Sequence, residues 1–277
     1  MDKRYCELFC RCYPQFKMSS RRFESLLENE NTHILSHSEG GELAGFAVID
    51  PPAVRLIAVA PEYRHRGIGT VLLKRCEEYA RHKGFDKLYT GGVSSKFLIG
   101  ADKASAGFFE KNGFETVGGC DELLIELKDY SFDESAFHGH MCAGYGWYEG
   151  DMAALHKAVS EVDESWVQYF DGKGKVYAAT VNGEIASFCL VSTDNSNYLT
   201  DAYGRVGMPG CVGTVPKFRS KGIALEMVAR VTQYLKDCGM DISFIFFTGV
   251  ASWYEKIGYK VFMSEVFMVK EIGGRKA

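Results

Sequence analysis

Apolar and polar positions along the chain predict the same series of strands and helices twice. In the first half, alternating segments at 32–38 and 43–49 predict a β-hairpin, and an apolar run at 54–59 predicts a buried strand. Apolar residues then recur every three or four positions, which predicts a helix that ends at Gly84. The remaining strands of this half are expected at 87–91 and 115–128.

The second half repeats this series after a passage segment at 129–145, which is expected to supply one extra strand. Its helix is expected to end at Gly239, in the same way as the helix of the first half. Its last strands are expected at 242–248 and 260–271. Two short amphipathic helices, at 2–12 and 20–27, precede the first copy.

Three short motifs occur once in each half and in the same order. A glycine turn that leads into a strand comes first. A basic glycine loop follows, as Arg64-His65-Arg66-Gly67-Ile68-Gly69 and again as Arg219-Ser220-Lys221-Gly222-Ile223-Ala224. The last motif has an aromatic residue before Glu-Lys, namely Phe109 in the first half and Tyr254 in the second. Because insertions fall only between the motifs, we expect two copies of one fold, at residues 1–129 and 130–277.

A strand, a basic glycine loop and the N-terminus of a helix together form a phosphate-binding motif. The first amides of a helix have no partner within the helix, and the helix dipole favours an anion beside them. Glycine lets the backbone come close to that anion. The loops lack the Gly-Lys-Ser/Thr ending of a nucleotide P-loop and the three-glycine dinucleotide fingerprint, which argues against ATP and NAD.

The basic glycine loop after a strand, combined with the distal Tyr-Glu-Lys-x-Gly-Tyr motif, resembles the GNAT superfamily of acyl-CoA-dependent N-acyltransferases. The resemblance covers nearly the whole chain, as two tandem copies. It implies an α/β (α+β) fold of two tandem GNAT-like lobes, each with a mixed, mostly antiparallel sheet flanked by helices.

The resemblance also implies that acetyl-CoA is the cosubstrate. In this family the loop binds the pyrophosphate and the preceding strand pairs with the pantetheine arm. In the first lobe the implied coenzyme contacts are Ile57, Ala58, Val59, Arg64, His65, Arg66, Gly67, Ile68, Gly69 and Thr70. In the second lobe they are Val212, Gly213, Thr214, Arg219, Ser220, Lys221, Gly222, Ile223 and Ala224.

A catalytic role for Tyr254 is implied by the same resemblance. The family uses this tyrosine as a general acid, or as a hydrogen-bond donor, toward the departing thiolate, after direct attack by an amine. Phe109 has no proton to give, so we expect the first lobe to bind acetyl-CoA without turnover. No general base stands out from the sequence. The candidate carboxylates are Glu149, Asp194, Asp201 and Glu265, each of which is also readily explained as a surface charge.

We expect an enzyme that transfers an acetyl group from acetyl-CoA to a primary amine of a small molecule. The net charge of −4 weakly favours a cationic acceptor, such as an amino sugar, a polyamine or an aminoglycoside-like compound. Two alternatives stay open: a peptide or protein N-acetyltransferase, and an acyl-CoA-binding sensor without turnover. Aminoacyl-tRNA-dependent transferases of this fold do not need two intact loops, so that interpretation is disfavoured.

Composition limits the partners and the compartment. Hydrophobic residues make up 46% of the 277 positions and charged residues 25%, which is typical of a globular protein with a sizeable core. The acidic balance argues against a nucleic-acid partner, and no apolar run is long enough for a membrane span. Nine scattered cysteines without a signal-type segment predict reduced thiols and a cytoplasmic location.

Neither a metal ion nor a fixed oligomeric state is implied by the sequence. His138-Gly139-His140 and Cys142 have a metal-like spacing, but no second ligand pair accompanies them, so no metal is expected. We expect a monomer, in which the two lobes form a pseudo-dimer, or a homodimer.

Overall fold

The structure is a computed structural model that describes residues 2–16, 18–28, 30–91, 101–137, 141, 143–193 and 203–273. The α-helices are α1 (Lys3–Cys12), α2 (Ser20–Leu27), α3 (Ile68–His82), α4 (Ala106–Lys111), α5 (Met152–Ser160), α6 (Ile223–Asp237) and α7 (Ala251–Glu255). The β-strands are β1 (His33–Glu39), β2 (Glu42–Asp50), β3 (Ala53–Val59), β4 (Lys87–Thr90), β5 (Glu115–Glu126), β6 (Gly144–Trp147), β7 (Lys175–Val181), β8 (Glu184–Ser192), β9 (Val206–Thr214), β10 (Ile242–Thr248) and β11 (Lys260–Glu271).

The two copies share one order of elements, as the sequence predicts. The first copy runs β1, β2, β3, α3, β4, α4 and β5, and the second runs β7, β8, β9, α6, β10, α7 and β11. The second copy also has β6, which the passage segment supplies, whereas the first copy starts with α1 and α2. The predicted mixed α/β fold with mostly antiparallel strands is confirmed.

The hairpin turns explain the first repeated motif. In β1–β2 the turn residues Gly40 and Gly41 have φ of 57° and 88°, and in β7–β8 Asn182 and Gly183 have φ of 52° and 81°. Positive φ at both central positions gives a turn whose twist matches the flanking strands. Glycine and asparagine tolerate that conformation, which accounts for the residues found there.

The long helices α3 and α6 end in the same way. Gly84 and Gly239 follow them with φ of 87° and 75°, the left-handed conformation that closes a helix. After α3, the Phe85 amide donates to the Ala80 carbonyl at 3.1 Å, which satisfies one of the last free carbonyls of the helix. Each helix buries one apolar face against its sheet, as the spacing of its apolar residues predicts.

The chain divides into two compact units. The first unit comprises Met1–Asp121, Tyr198–Ala202 and Met263–Ala277. The second unit comprises Glu122–Asn197 and Tyr203–Phe262. Strand order in the first unit is β1-β2-β3-β4-β11-β5, with β3 and β4 parallel and β4 and β11 antiparallel. In the second unit, β10 lies between β9, its parallel neighbour, and β5.

The boundary at 129/130 refers to the two copies in sequence and stays a prediction, and the compact units divide the closing strands in another way. The end of β11 completes the first unit beside β4, and the end of β5 lies beside β10 in the second. Each closing strand therefore contributes to both units.

A buried polar network holds three elements of the second unit together. The Tyr259 hydroxyl, which is 1% exposed, lies 2.9 Å from the Thr232 hydroxyl on α6 and 2.6 Å from the Ser243 hydroxyl on β10. Because each of these hydroxyls has a partner, the network avoids the penalty for burying an unpaired polar group. It fixes β10 and the start of β11 against α6, next to the cavity described below.

Candidate functional site

The two basic glycine loops have the same backbone geometry. The Arg64 Nε donates to the Val59 carbonyl at 3.1 Å, and the Arg219 Nε donates to the Thr214 carbonyl, also at 3.1 Å. A short 3₁₀ turn that begins with proline precedes each arginine. The first arginine of each motif therefore ties its loop to the end of the preceding strand, a role that the sequence did not reveal.

Two residues in each loop have positive φ. Gly67 and Gly222, with φ of 83° and 79°, are the N-caps of α3 and α6. His65 and Ser220, with φ of 61° and 60°, have side chains and are therefore strained in this conformation. Non-glycine residues in this region cluster at binding sites, where the surrounding structure enforces them.

The helix starts present unused amide groups. In α3 the Val71 amide donates to the Gly67 carbonyl at 3.0 Å, and in α6 the Leu225 and Glu226 amides both donate to the Gly222 carbonyl, at 3.1 and 3.2 Å. Gly67 and Gly222 have no side chain that could accept hydrogen bonds from the other amides of the first helical turn. These amides and the helix dipole together form an anion-binding site at each loop.

A cavity of about 690 Å³ adjoins the loop of the first unit. Most of the predicted coenzyme contacts line it: Ile57, Ala58, Val59, Arg64, His65, Gly67, Ile68, Gly69 and Thr70. Arg66 does not line it, because its guanidinium lies over the Tyr63 ring, 5.3 Å from the ring centroid. Polar residues that the sequence did not single out also line this cavity, namely Cys12, Tyr13, Gln15, Asp102 and Ser105.

A smaller cavity, of about 380 Å³, adjoins the loop of the second unit. It is lined by the predicted residues Val212, Thr214, Arg219, Ser220, Lys221, Gly222, Ile223, Ala224 and Tyr254. Gly213 does not line it, because this glycine faces Phe188: an added Cβ would lie 2.4 Å from the Phe188 Cζ. Gly213 therefore permits close packing between β9 and β8. Other apolar residues also line it, namely Val162, Phe218, Leu225, Val250 and Trp253.

The strand before the second loop is open along one edge. β9 and β10 pair in parallel at Val206–Ile242 and Gly207–Ser243, and the described residues show no further paired positions on the way to Thr214. On its other edge β9 pairs with β8 through a bulge at Cys211, whose φ is 46°. Bulges bend a strand and re-aim its groups, and they are common beside active sites. The cavity adjoins the end of β9, at Val212 and Thr214, beyond the last position paired with β10.

Tyr254 lies at the wall of the second cavity. Its ring is 5% exposed and packs edge-on against Trp253, with 4.7 Å between the ring centroids. Burial, with a smaller contribution from nearby Tyr259, raises the pKa of Tyr254 above its ordinary value. The phenol is therefore a hydrogen-bond donor at neutral pH. Phe109, the matching residue of the first unit, is 3% exposed and packs against Phe108 and Phe114.

Of the remaining candidates from the sequence, only two lie within the described part of the chain. Glu149 is exposed and Glu265 is buried, and neither lines the second cavity. The other candidates lie outside the described residues: Asp194, Asp201, His138, His140 and Cys142. Within the described ranges, no group of three His, Cys, Asp or Glu residues is placed to hold a metal ion. No helix of the described chain is long and apolar enough to span a membrane.

Two tandem α/β units, each with a glycine-capped helix beside the end of a strand, define an acyltransferase fold. Residues 3–114 match the acetyltransferase (GNAT) family, and residues 133–262 match a second acetyltransferase (GNAT) domain. The chain therefore belongs to the GNAT superfamily, with two domains in tandem, as the motifs predict. GNAT acetyltransferases generally use acetyl-CoA, and acyl transfer is the chemistry of the family.

Solved structures share this fold at low sequence identity. A GCN5-related N-acetyltransferase from Sphaerobacter thermophilus matches with a TM-score of 0.67 and 19% identity, over 99% of this chain and 94% of that one. A tandem GNAT protein from the clavulanic acid biosynthesis pathway matches with a TM-score of 0.60 and 16% identity, over 99% and 95% of the two chains.

A third structure contains a GCN5-related glucosamine N-acetyltransferase region, within a fungal multi-domain GH3 β-N-acetylglucosaminidase. It matches with a TM-score of 0.71 and 18% identity. The match covers 97% of this chain but only 37% of the fungal one. A comparison with curated protein sequences finds no match.

Proposed function

We propose that this protein transfers an acetyl group from acetyl-CoA to a primary amine of a small molecule, with the reaction in the second unit. One observation carries the proposal: a single cavity brings together the Gly222 loop, the open edge of β9 and the Tyr254 phenol. A phosphate site, a strand edge and a hydrogen-bond donor are the three parts that thioester aminolysis requires.

The coenzyme is proposed to run from the loop along β9. Its pyrophosphate accepts hydrogen bonds from the amides at the start of α6, beside the cationic Arg219 and Lys221. Its pantetheine arm takes the place of a missing strand along the open edge of β9 near Val212 and Thr214. A strand amide then polarises the thioester carbonyl, as the donors of an oxyanion hole do.

The amine nitrogen attacks the thioester carbon directly, so that a C–N bond forms as the C–S bond breaks. The nitrogen loses its proton to water, and the departing thiolate accepts a hydrogen bond from Tyr254. A thiol with a pKa of about 8.5 is more acidic than a phenol with an ordinary pKa of about 10, and burial widens that gap. Tyr254 therefore stabilises the thiolate by a hydrogen bond rather than by giving up its proton.

Amino sugars are the acceptor class proposed first. The net charge of −4 favours a cationic acceptor. The fold is similar to that of a region named as a glucosamine N-acetyltransferase, which supports an amino sugar within that class. The likeness is one of fold, so the acceptor itself has to be found by assay.

The test is thiol release from acetyl-CoA in the presence of glucosamine, spermidine, kanamycin or a peptide with a free N-terminus. We expect release with at least one of the small amines and not with the peptide. The matched control is the double variant Gly67→Glu/Gly222→Glu, which blocks both loops. Release with the peptide alone would instead indicate a peptide acetyltransferase, and acetyl-CoA binding without any release would indicate a sensor.

A further inference from the structure

The first unit has a phenol at its cavity that does not come from the distal motif. Tyr13 directly follows α1 and is half-buried at the cavity wall. Its hydroxyl donates to the Ile57 carbonyl at 2.8 Å. The neighbouring Cys12 thiol donates to the Val59 carbonyl at 3.3 Å. The end of α1 is thus fixed against the end of β3, the strand that leads into the Gly67 loop.

Strand pairing shows which residue of the second unit corresponds to Ile57. Ala58 faces Phe46 in the first unit, and Gly213 faces Phe188 in the second. Ile57, one residue earlier, therefore corresponds to Val212, which lines the second cavity together with Tyr254.

Tyr13 thus places a phenol beside the strand position that matches Val212, and Val212 shares the second cavity with Tyr254. The two phenols come from different elements, Tyr13 from the end of α1 and Tyr254 from α7. The first cavity therefore has a phenol in its wall in addition to Phe109.

A carboxylate lies close to this phenol in the same cavity. Asp102 lines the cavity, and its Oδ1 accepts the Ser105 amide at 2.7 Å, which fixes the side chain on a turn before α4. Burial raises the pKa of Tyr13, and the charges of Cys12 and Asp102 raise it further, whereas the charge of Arg64 lowers it. No cationic side chain among the described residues forms an ion pair with Asp102. Its carboxylate therefore contributes a negative charge to the cavity wall.

We propose that the cavity of the first unit is a second acyl-transfer site, in which Tyr13 hydrogen-bonds the departing thiolate and Asp102 binds a cationic amine. The acyl donor is a thioester of coenzyme A held by the Gly67 loop. The ammonium bound beside Asp102 first loses a proton to water, the resulting neutral amine attacks the thioester carbon, and a C–N bond forms as the C–S bond breaks. The nitrogen proton passes to water, and the Tyr13 hydroxyl turns from the Ile57 carbonyl to donate its single hydrogen bond to the thiolate sulfur. This revises the expectation, drawn from Phe109, that the first unit binds coenzyme without turnover.

The experiment uses the full chain with Gly222→Glu, so that acetyl-CoA reaches only the first unit. Thiol release is then measured with glucosamine, spermidine and kanamycin, with and without Tyr13→Phe. We expect Tyr13→Phe to lower kcat about 100-fold while the acetyl-CoA dissociation constant from calorimetry stays within about twofold. Tyr5→Phe is the matched control, because it removes a phenol hydroxyl from the same helix at a residue that packs on Phe46 and does not line the cavity, so its kcat is expected to stay unchanged.

Asp102→Asn tests the second half of the proposal. The asparagine oxygen still accepts the Ser105 amide, so the turn before α4 is retained. In the Gly222→Glu background we expect KM for the amine to rise about tenfold with kcat little changed, because charge recognition is lost. This variant keeps the proposal testable if Tyr13→Phe disturbs folding, which thermal unfolding would reveal.

Two results would overturn the proposal. One is a Gly222→Glu protein that binds acetyl-CoA and releases no thiol with any amine that the unmodified protein acetylates. The other is an unchanged kcat in Tyr13→Phe. Neither result touches the proposed reaction of the second unit, which is measured separately in the Gly67→Glu background.

Discussion

Tyr254→Phe in the Gly67→Glu background is expected to lower kcat about 100-fold and to leave KM for acetyl-CoA within about twofold. The Gly67→Glu change blocks the first unit, so that only the second cavity turns over. Phenylalanine keeps the packing against Trp253 and removes only the hydroxyl. The thiolate then departs without its hydrogen bond, which is an interaction of the transition state and not of the bound thioester.

Trp253→Phe is the matched control for this variant. It changes the neighbouring ring to the residue that occupies the same place in the first unit, Phe108, and leaves the Tyr254 hydroxyl intact. Its kcat is expected to fall by no more than about threefold, since only apolar packing changes. Equal losses in the two variants would mean that Tyr254 acts by packing alone.

The pH profile follows from the burial of Tyr254. Burial raises the pKa of the phenol, so its protonated form persists above the ordinary value of about 10. We therefore expect kcat in the Gly67→Glu background to show no loss from phenol ionisation up to about pH 10. A decline below that pH, present with Tyr254 and absent in Tyr254→Phe, would contradict the expected shift.

Gly222→Glu is expected to lower kcat/KM for acetyl-CoA at the second site by more than about 100-fold. Two effects act together at this position. The φ of 79° strains any residue with a side chain, at a cost of about 1–2 kcal/mol. The carboxylate also lies at the helix start, where the amides would otherwise bind the pyrophosphate, and it repels that group.

Gly222→Asn separates these two effects. Asparagine tolerates the left-handed conformation and carries no charge, so we expect a loss of less than about tenfold in kcat/KM. The measurement is initial-rate kinetics in the Gly67→Glu background, with thermal unfolding to check that each variant is folded. If Glu and Asn at position 222 gave equal losses, the loop would be a helix cap and not a pyrophosphate site.

Much of the fold could be predicted because the repeated motifs have strong local physical causes. The hairpin turns need residues that tolerate positive φ, and the chain has Gly40-Gly41 and Asn182-Gly183 there. Gly84 and Gly239 mark the ends of α3 and α6 for the same reason. The pairing of β4 with β11 could not be predicted, because partner choice between distant strands depends on the whole sheet and not on either strand alone.

The site was predictable to the extent that it follows a motif. The two loops and Tyr254 come from short patterns, and both loops adjoin cavities. Tyr13 and Asp102 belong to no pattern, because they come from the end of α1 and from a turn before α4, and only the folded chain brings them to one cavity. The contact of Gly213 with Phe188 is likewise a packing requirement that only the structure reveals.

The measurement that most directly tests whether both loops bind coenzyme is a calorimetric titration of the unmodified protein with acetyl-CoA. The same titration is carried out on Gly67→Glu and on Gly222→Glu. We expect two binding sites in the unmodified protein, with one site lost in each variant. A single site, a site that survives both substitutions, or no binding at all would contradict acetyl-CoA binding at the two loops.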